Sequence, residues 1–253
     1  MIKTIRFEND DLYITDDPML LDSLLKMGKE AIPCLDGRAD PGDFAFTRYA
    51  VSDLSSLFEN SDPKDTLICG RDFIPDHLLK IHQRLKGLPW DILETGRLKV
   101  RETTLSDVDR FYEIYNDPST TMYIEPLFED REEELEYTRN YIETIYGFYG
   151  YGIWTVIEKD TGRIIGRAGV TDREGFDIPE IGFVIAPESR KKGYAFEVCS
   201  SILDHAKTEL GFTKIQALVK PQNTVSINLL KKLGFEITRK LHQDYLIALR
   251  TLS

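Results

Sequence analysis

The chain has 253 residues, 42% hydrophobic and 30% charged, an ordinary globular composition that excludes disordered, collagenous and coiled-coil classes. Acids outnumber bases 43 to 32, a net charge of −11; because phosphate neutralisation dominates nucleic-acid binding, no nucleic acid is expected as a partner, and cationic or amine partners fit better. No apolar run approaches the roughly 18 residues that span a bilayer, and residues 1–8 turn acidic too early for a signal peptide, so no membrane partner is expected.

The three cysteines, Cys34, Cys69 and Cys199, are odd in number and far apart. They suit neither a disulfide framework nor a zinc site, which makes a reducing cytoplasm the expected compartment. The four histidines show no ligand spacing, and no metal is expected.

The chain changes character near residue 95. Residues 1–94 are punctuated by Asp17-Pro18, Asp36-Gly37, Asp40-Pro41-Gly42 and Asp62-Pro63. Between these lie short strand candidates (12–14, 31–34, 44–46) and helix candidates (19–27, 51–58, with a later one at 75–86). Gly28 suits the C-terminal cap of the first helix. This part reads as a small α/β module. Its acidic pair Asp16-Asp17, after a strand and before a helix, reads as a helix cap in preference to a phosphoacceptor, since no later Thr or Ser and Lys complete such a site.

Residues 95–253 form a second domain with clearer periodicity. Thr104 and Asp107 have capping-box spacing, and Val108, Phe111, Tyr112 and Tyr115 then share one helical face. A second helix starts in the acidic run 130–136, with Thr138, Tyr141, Ile142 and Ile145 as its stripe. Strands 154–158 and 164–170 flank the turn Lys159-Asp-Thr-Gly162. Residues 180–186, nearly all apolar, read as a central strand. Helix 195–210, strand 214–219, helix 225–233 and strands 235–239 and 245–249 complete the domain.

The segment Ile181-Gly-Phe-Val-Ile-Ala-Pro-Glu-Ser-Arg-Lys-Lys-Gly-Tyr-Ala195 is the most informative. Three consecutive cations, Arg190, Lys191 and Lys192, precede a helix start, the end of the dipole that is already positive. A bound anion would explain them, cradled by free N–H groups beside Gly193. A solvated basic turn is the plain alternative. Neither a Walker loop nor a dinucleotide fingerprint is present.

Arg190-Lys-Lys-Gly193-Tyr194-Ala195 resembles the Gln/Arg-x-x-Gly-x-Gly/Ala acyl-CoA pyrophosphate loop of the GNAT acetyltransferase superfamily. Residues 95–107 are similar to the first strand and helix start of its RimJ/RimL-like branch. Ile164-Ile-Gly-Arg-Ala-Gly169 and Glu180-Ile-Gly-Phe-Val-Ile185 resemble the third and fourth strands. Asn223-Thr-Val-Ser226 followed by Lys232-Leu-Gly-Phe235 resembles the C-terminal signature. The motifs keep the family's order across about residues 95–250 and leave the first 94 residues uncovered.

The resemblance implies an α+β fold: a mixed, mostly antiparallel sheet with helices on both faces, here preceded by the small module. It implies an N-acetyltransferase that moves an acetyl group from acetyl-CoA to a primary amine by direct attack on the thioester. The amine must shed a proton first, and Glu180 is the candidate general base; its alternative is a strand-end carboxylate paired with a surface base. An N–H around Val184, Ile185 and Ala186 would receive the oxyanion, and the same strand would pair with the pantetheine amides. Asn223 resembles the residue that hydrogen-bonds the pantetheine arm, and also suits an N-cap. The tyrosine that often protonates the thiolate would fall at Leu230, which leaves Ser226 as the polar candidate, or as a capping serine. Tyr149 and Tyr151, set between glycines, are candidates for holding a cationic acceptor by their ring faces. The acceptor would be a small molecule or a protein N-terminus, and the family leaves room for a homodimer. A non-catalytic acyl-CoA sensor is the competing reading, kept open by Leu230.

Overall fold

The computed structural model describes residues 4–7, 12–15, 18–28, 30–33, 66–69, 88–242 and 244–252. The chain divides into two compact units, Met1–Leu88 and Pro89–Ser253.

The first unit has strands β1 (Thr4–Phe7), β2 (Leu12–Thr15), β3 (Glu30–Pro33) and β4 (Thr66–Cys69), and helix α1 (Pro18–Lys26). Their sheet order is β3-β2-β1-β4, with β1 antiparallel to β2 and the outer pairs parallel. Strands β1 and β4 were not among the strands read from the sequence, whereas 12–14 and 31–34 correspond to β2 and β3. Gly28 does end α1, at φ +70°, with its N–H on the Leu25 carbonyl at 3.0 Å. The expected strand 44–46, the helices 51–58 and 75–86, and the pair Asp16-Asp17 lie outside the described residues.

The second unit is built on eight strands: β5 (Asp91–Glu94), β6 (Leu98–Arg101), β7 (Ile153–Glu158), β8 (Ile164–Thr171), β9 (Glu180–Ile185), β10 (Lys214–Val219), β11 (Glu236–His242) and β12 (Tyr245–Thr251). Their order is β11-β12-β10-β9-β8-β7-β6-β5. Every pairing is antiparallel except β9 with β10. The helices are α2 (Val108–Tyr115), α3 (Pro118–Thr121), α4 (Arg131–Tyr141), α5 (Tyr194–Thr208) and α6 (Thr224–Lys232). This is the expected α+β architecture.

Alternation along the central strands sorts side chains between two faces. Trp154, Val156, Ala168, Val170 and Ile181 pack with Val198, Cys199, Ile202 and Ala206 of α5 in the main core. Val184 faces the other way, packed with Ala186 and with Ile114 of α2. Helix α2 thus buries Val108, Phe111 and Ile114, while Tyr112 lies at the flank of the stripe. Asp107, buried beneath α2, accepts two bonds from Arg101 at 2.6 and 2.8 Å, the Thr104 N–H at 3.0 Å and the Thr155 hydroxyl at 2.9 Å. Burial opposes its charge, but these donors together hold its carboxyl below the ordinary value. Helix α4 begins at Asp130, whose side chain accepts the N–H groups of Glu132 and Glu133 at 2.7 and 3.2 Å. It runs on as a wider π-type segment, Ile142–Tyr149, which ends at left-handed Gly150.

Candidate active site

Strands β9 and β10 meet at one rung. Gln216 pairs with Glu180, and the Gln216 N–H bonds the Pro179 carbonyl at 2.9 Å. Beyond that rung the two strands part, while β9 stays fully paired to β8 from Thr171↔Glu180 to Gly166↔Ile185. The result is a V, closed at Glu180 and open at Ile185 and Val219.

The backbone direction inside the V follows from the ladder. The Ala186 N–H donates to the Ile165 carbonyl at 2.8 Å, so by alternation Val184 and Gly182 also turn their polar groups to β8. Ile181, Phe183 and Ile185 therefore present theirs to the opening. Of the three residues expected to offer an N–H, Val184 and Ala186 face away and Ile185 faces in; Phe183 joins it, one alternation earlier. The sequence reading lacked the phase of the ladder, which only the β8 partner sets.

At the apex, Glu180 is half-buried. It accepts a bond from the Arg173 guanidinium at 3.3 Å and another from the Leu218 N–H of β10. Its carboxylate thus takes up a donor that the splayed strand would otherwise leave open. Burial pushes the Glu180 carboxyl above its ordinary value, only partly offset by Arg173 and the Leu218 N–H. Gln216, on the same face and 2% exposed, has an amide nitrogen without a hydrogen-bond partner. Arg173 and Gln216 were not anticipated. The first sits in an irregular loop, and the second becomes Glu180's neighbour only through the β9–β10 register.

At the mouth, β9 leads into a 3-10 turn, Pro187–Ser189, and then to the cations. Arg190 does not point out to solvent. Its guanidinium donates to the Ile185 carbonyl at 2.9 Å and to the Ser119 and Thr120 hydroxyls at 2.6 Å each. It fastens the loop to α3. Lys191 and Lys192 are exposed. Lys191 has φ +60° and Gly193 φ +86°, and such left-handed residues turn successive N–H groups toward one side. Gly193 is the N-cap of the 15-residue α5, with no side chain capping it, so the first N–H groups of the helix are left for a ligand or water. Arg97 braces this loop: it donates to the Lys192 carbonyl at 3.0 Å and to Glu197 at 2.8 Å, and lies 4.5 Å from the Tyr194 ring. The Tyr194 hydroxyl donates to Glu158, which makes Tyr194 part of the scaffold, with Ala195 in the first turn.

Across the mouth, Asn223 caps α6 by accepting the Ser226 N–H at 3.1 Å. Ser226 lies half-buried in that first turn. Leu230, one turn on, is 1% exposed and belongs to the main core. Tyr149 and Tyr151 lie 5.9 Å apart, ring to ring. Tyr151 packs edge-on against Phe212 at 5.2 Å and donates its hydroxyl to Asp172 at 2.8 Å. It precedes β7 at the level of Glu180, two strands away. Among the described residues, no group of three His, Cys, Asp or Glu is arranged to hold a metal ion, and no helix is long and apolar enough to cross a membrane.

A strand pair splayed beside a basic loop and an uncapped helix thus makes up the candidate site. The GNAT acetyltransferase domain model matches residues 97–236. The chain belongs to the GNAT acetyltransferase family. The N-acetyltransferase p20 of Bacillus licheniformis is 32% identical over 162 residues, which cover 61% of this chain and 87% of that protein. The N-acetyltransferase YoaA of Bacillus subtilis is 31% identical over 156 residues, 60% of this chain and 86% of that one. Among solved structures, an acetyltransferase of Agrobacterium tumefaciens superposes with TM-score 0.55 at 20% identity over 62% of this chain and 92% of its own. The spermidine N-acetyltransferase of Vibrio cholerae, solved with CoA and spermine, gives TM-score 0.53 at 22% identity over 62% and 97%. At such identities these structures speak for the fold. The enzyme is thus an acetyltransferase with its GNAT domain in the second unit.

Proposed function

We propose that this acetyltransferase transfers the acetyl group of acetyl-CoA to a primary amine by direct attack, with the V between β9 and β10 as its active site. The observation that carries the reading is the V itself: a half-buried carboxylate closes it, and an uncapped helix with two exposed lysines stands at its mouth. Acetyl-CoA supplies an activated thioester. The N–H groups of residues 191–195, with Lys191 and Lys192, hold its pyrophosphate. The open edge of β9 pairs with the pantetheine amides, as an added strand would. The N–H of Phe183 or Ile185 donates to the carbonyl oxygen as negative charge develops there. Glu180, its carboxyl raised by burial, takes the proton of the amine directly or through water. Asn223, which caps α6, would also hydrogen-bond the pantetheine arm, and Ser226 is the candidate proton donor to the leaving thiolate. Tyr149 and Tyr151 line the approach of the acceptor.

We also assign the chain to the RimJ/RimL-like branch, on Asn223-x-x-Ser226 and Lys232-x-Gly234-Phe235, and to the cytoplasm. The acyl-CoA sensor remains the second reading because Leu230 lies in the core and leaves the tyrosine position without an acid. Thermal shift with acetyl-CoA and CoA tests the cradle: ligand at about a hundred times Kd adds roughly 2.7 kcal/mol. Thiol release with an amine panel then separates the two readings. Release identifies the enzyme, whereas binding without release identifies the sensor, and no shift at all removes both.

A further inference from the structure

Strand β8 carries a charge in its middle, where its pattern calls for an apolar residue. Arg167 stands between buried Gly166 and Ala168 and pairs with Val184 on β9 and Thr155 on β7. Its side chain therefore leaves the sheet on the α2 face, the face of Val184 and Glu180. There the guanidinium lies 4.6 Å from the centre of the Phe111 ring and hydrogen-bonds Tyr115. Its Nε is enclosed and has no hydrogen-bond partner. Buried Glu134 acts on it through space, but no carboxylate among the described residues is bonded to it as an ion pair.

The same sheet shows how this chain neutralises a buried arginine when the purpose is structural. Arg101 meets Asp107 through two bonds, at 2.6 and 2.8 Å. Enclosed charges are ordinarily paired in this way, because the cost of removing them from water is otherwise unrecovered. Arg167 has an aromatic face, a phenol and the charge of buried Glu134 acting through space, but no ion pair.

Arg167 is also not sealed off. It is half-buried, and so are Glu180, Gly182, Ile153, Tyr115 and Tyr141, although all lie at or against the centre of the sheet. The ladder arranges them as three rungs on one face: Arg167–Val184, Gly169–Gly182 and Thr171–Glu180. The middle rung has no side chains. The Ile153 side chain reaches over this rung, its Cδ1 3.3 Å from where a Cβ on Gly182 would sit, so backbone and Ile153 together line the middle of the face. Four residues of strand, roughly 13 Å along the strand direction, separate the backbone positions of the cation and the carboxylate.

We infer that the acceptor is a small amine that also carries a carboxylate, an amino-acid-like molecule whose acid group pairs with Arg167 while its amine meets Glu180. This rests on the acetyltransferase reading of the V. A guanidinium with an enclosed, unused donor matches a carboxylate in charge and in fork geometry. It repels a second ammonium, so a polyamine is a poor acceptor for this recess.

The test is thiol release from acetyl-CoA by the full-length wild-type protein with matched amines. 4-Aminobutyrate is compared with n-butylamine, 6-aminohexanoate with n-hexylamine, and spermidine serves as the polycation. The expected result is kcat/KM at least about tenfold higher for the amino acids, since a site built for a polar group rejects the analogue that lacks it. Butyrate should inhibit competitively against the amino acid, a readout that needs no variant. In Arg167→Met the ratio between the matched amines should collapse through KM, with the acetyl-CoA thermal shift retained; Arg167→Lys should restore part of the ratio. Equal or better turnover of the alkylamines or spermidine overturns this inference and leaves the acetyltransferase reading intact. So does an Arg167→Met loss that falls equally on both amines. Release with no amine of the panel overturns this inference, and the acetyl-CoA thermal shift then tests the V as the donor site independently.

Discussion

The two ends of β9 handle charge in opposite ways. At the apex, Glu180 is drawn out of water and its carboxyl is raised, with Arg173 and the Leu218 N–H only moderating the effect. At the mouth, three cations stand in a row, yet only two are exposed; Arg190 is spent on Ile185, Ser119 and Thr120. A carboxylate whose pKa burial raises suits proton transfer, whereas exposed fixed charges suit anion binding. Adjacent residues of one basic run thus have different jobs, one holding the loop and two facing the ligand.

The sharpest break of that comparison is Glu180→Gln. It should lower kcat by about 10²–10⁴-fold if the carboxylate is the base, with the acetyl-CoA thermal shift unchanged; full activity would return Glu180 to a structural role. At the mouth, Arg190→Ala removes three hydrogen bonds to a charged donor and should cost about 2–4 kcal/mol. That is a drop of several degrees in Tm, measurable without ligand. Lys191→Ala with Lys192→Ala should leave the ligand-free Tm nearly unchanged and weaken acetyl-CoA several-fold by calorimetry, more at low salt than at high. The reverse pattern would make Arg190 the ligand contact. Gly193→Ala places a side chain at φ +86° and should cost about 1–2 kcal/mol.

The smallest effect is also the most specific. A general base must be ionised, so activity should rise with pH through the Glu180 pKa, above the ordinary value of 4.5. Arg173 opposes that shift, so Arg173→Ala should move the acid limb of the rate profile to higher pH. An unmoved limb would mean that another group sets it. The stability signs differ between the two buried acids. Asp107, held below its ordinary 3.8, contributes stability that is present above 3.8 and is lost as pH falls through its folded value. Glu180 is raised, so its contribution is greatest below 4.5 and declines as pH rises through the folded value.

Much of the second unit was legible in the sequence because its signals are local. The turn at Gly162, the cap at Asn223 and the apolar run of β9 depend on neighbours in the chain. So does the Arg190-to-Ala195 motif that pointed to the family. The chemistry within the motif was not legible: Arg190 and Lys192 are equivalent as letters, and only the approach of α3 turns the first inward.

The sequence by itself thus determined the order of this domain's elements from β7 to β12, its family and the run of cations at a helix start, since period, capping and turn chemistry act over a few residues; strand β5 and helix α3 escaped it. Tertiary structure alone decided which N–H groups face the V, that Glu180 meets Gln216 and Leu218, and that Arg167 turns an unpartnered Nε under α2 without an ion pair. Those facts depend on strand register and on the packing of α2 and α3, where partners come from distant parts of the chain and a shift of one residue reverses every side chain.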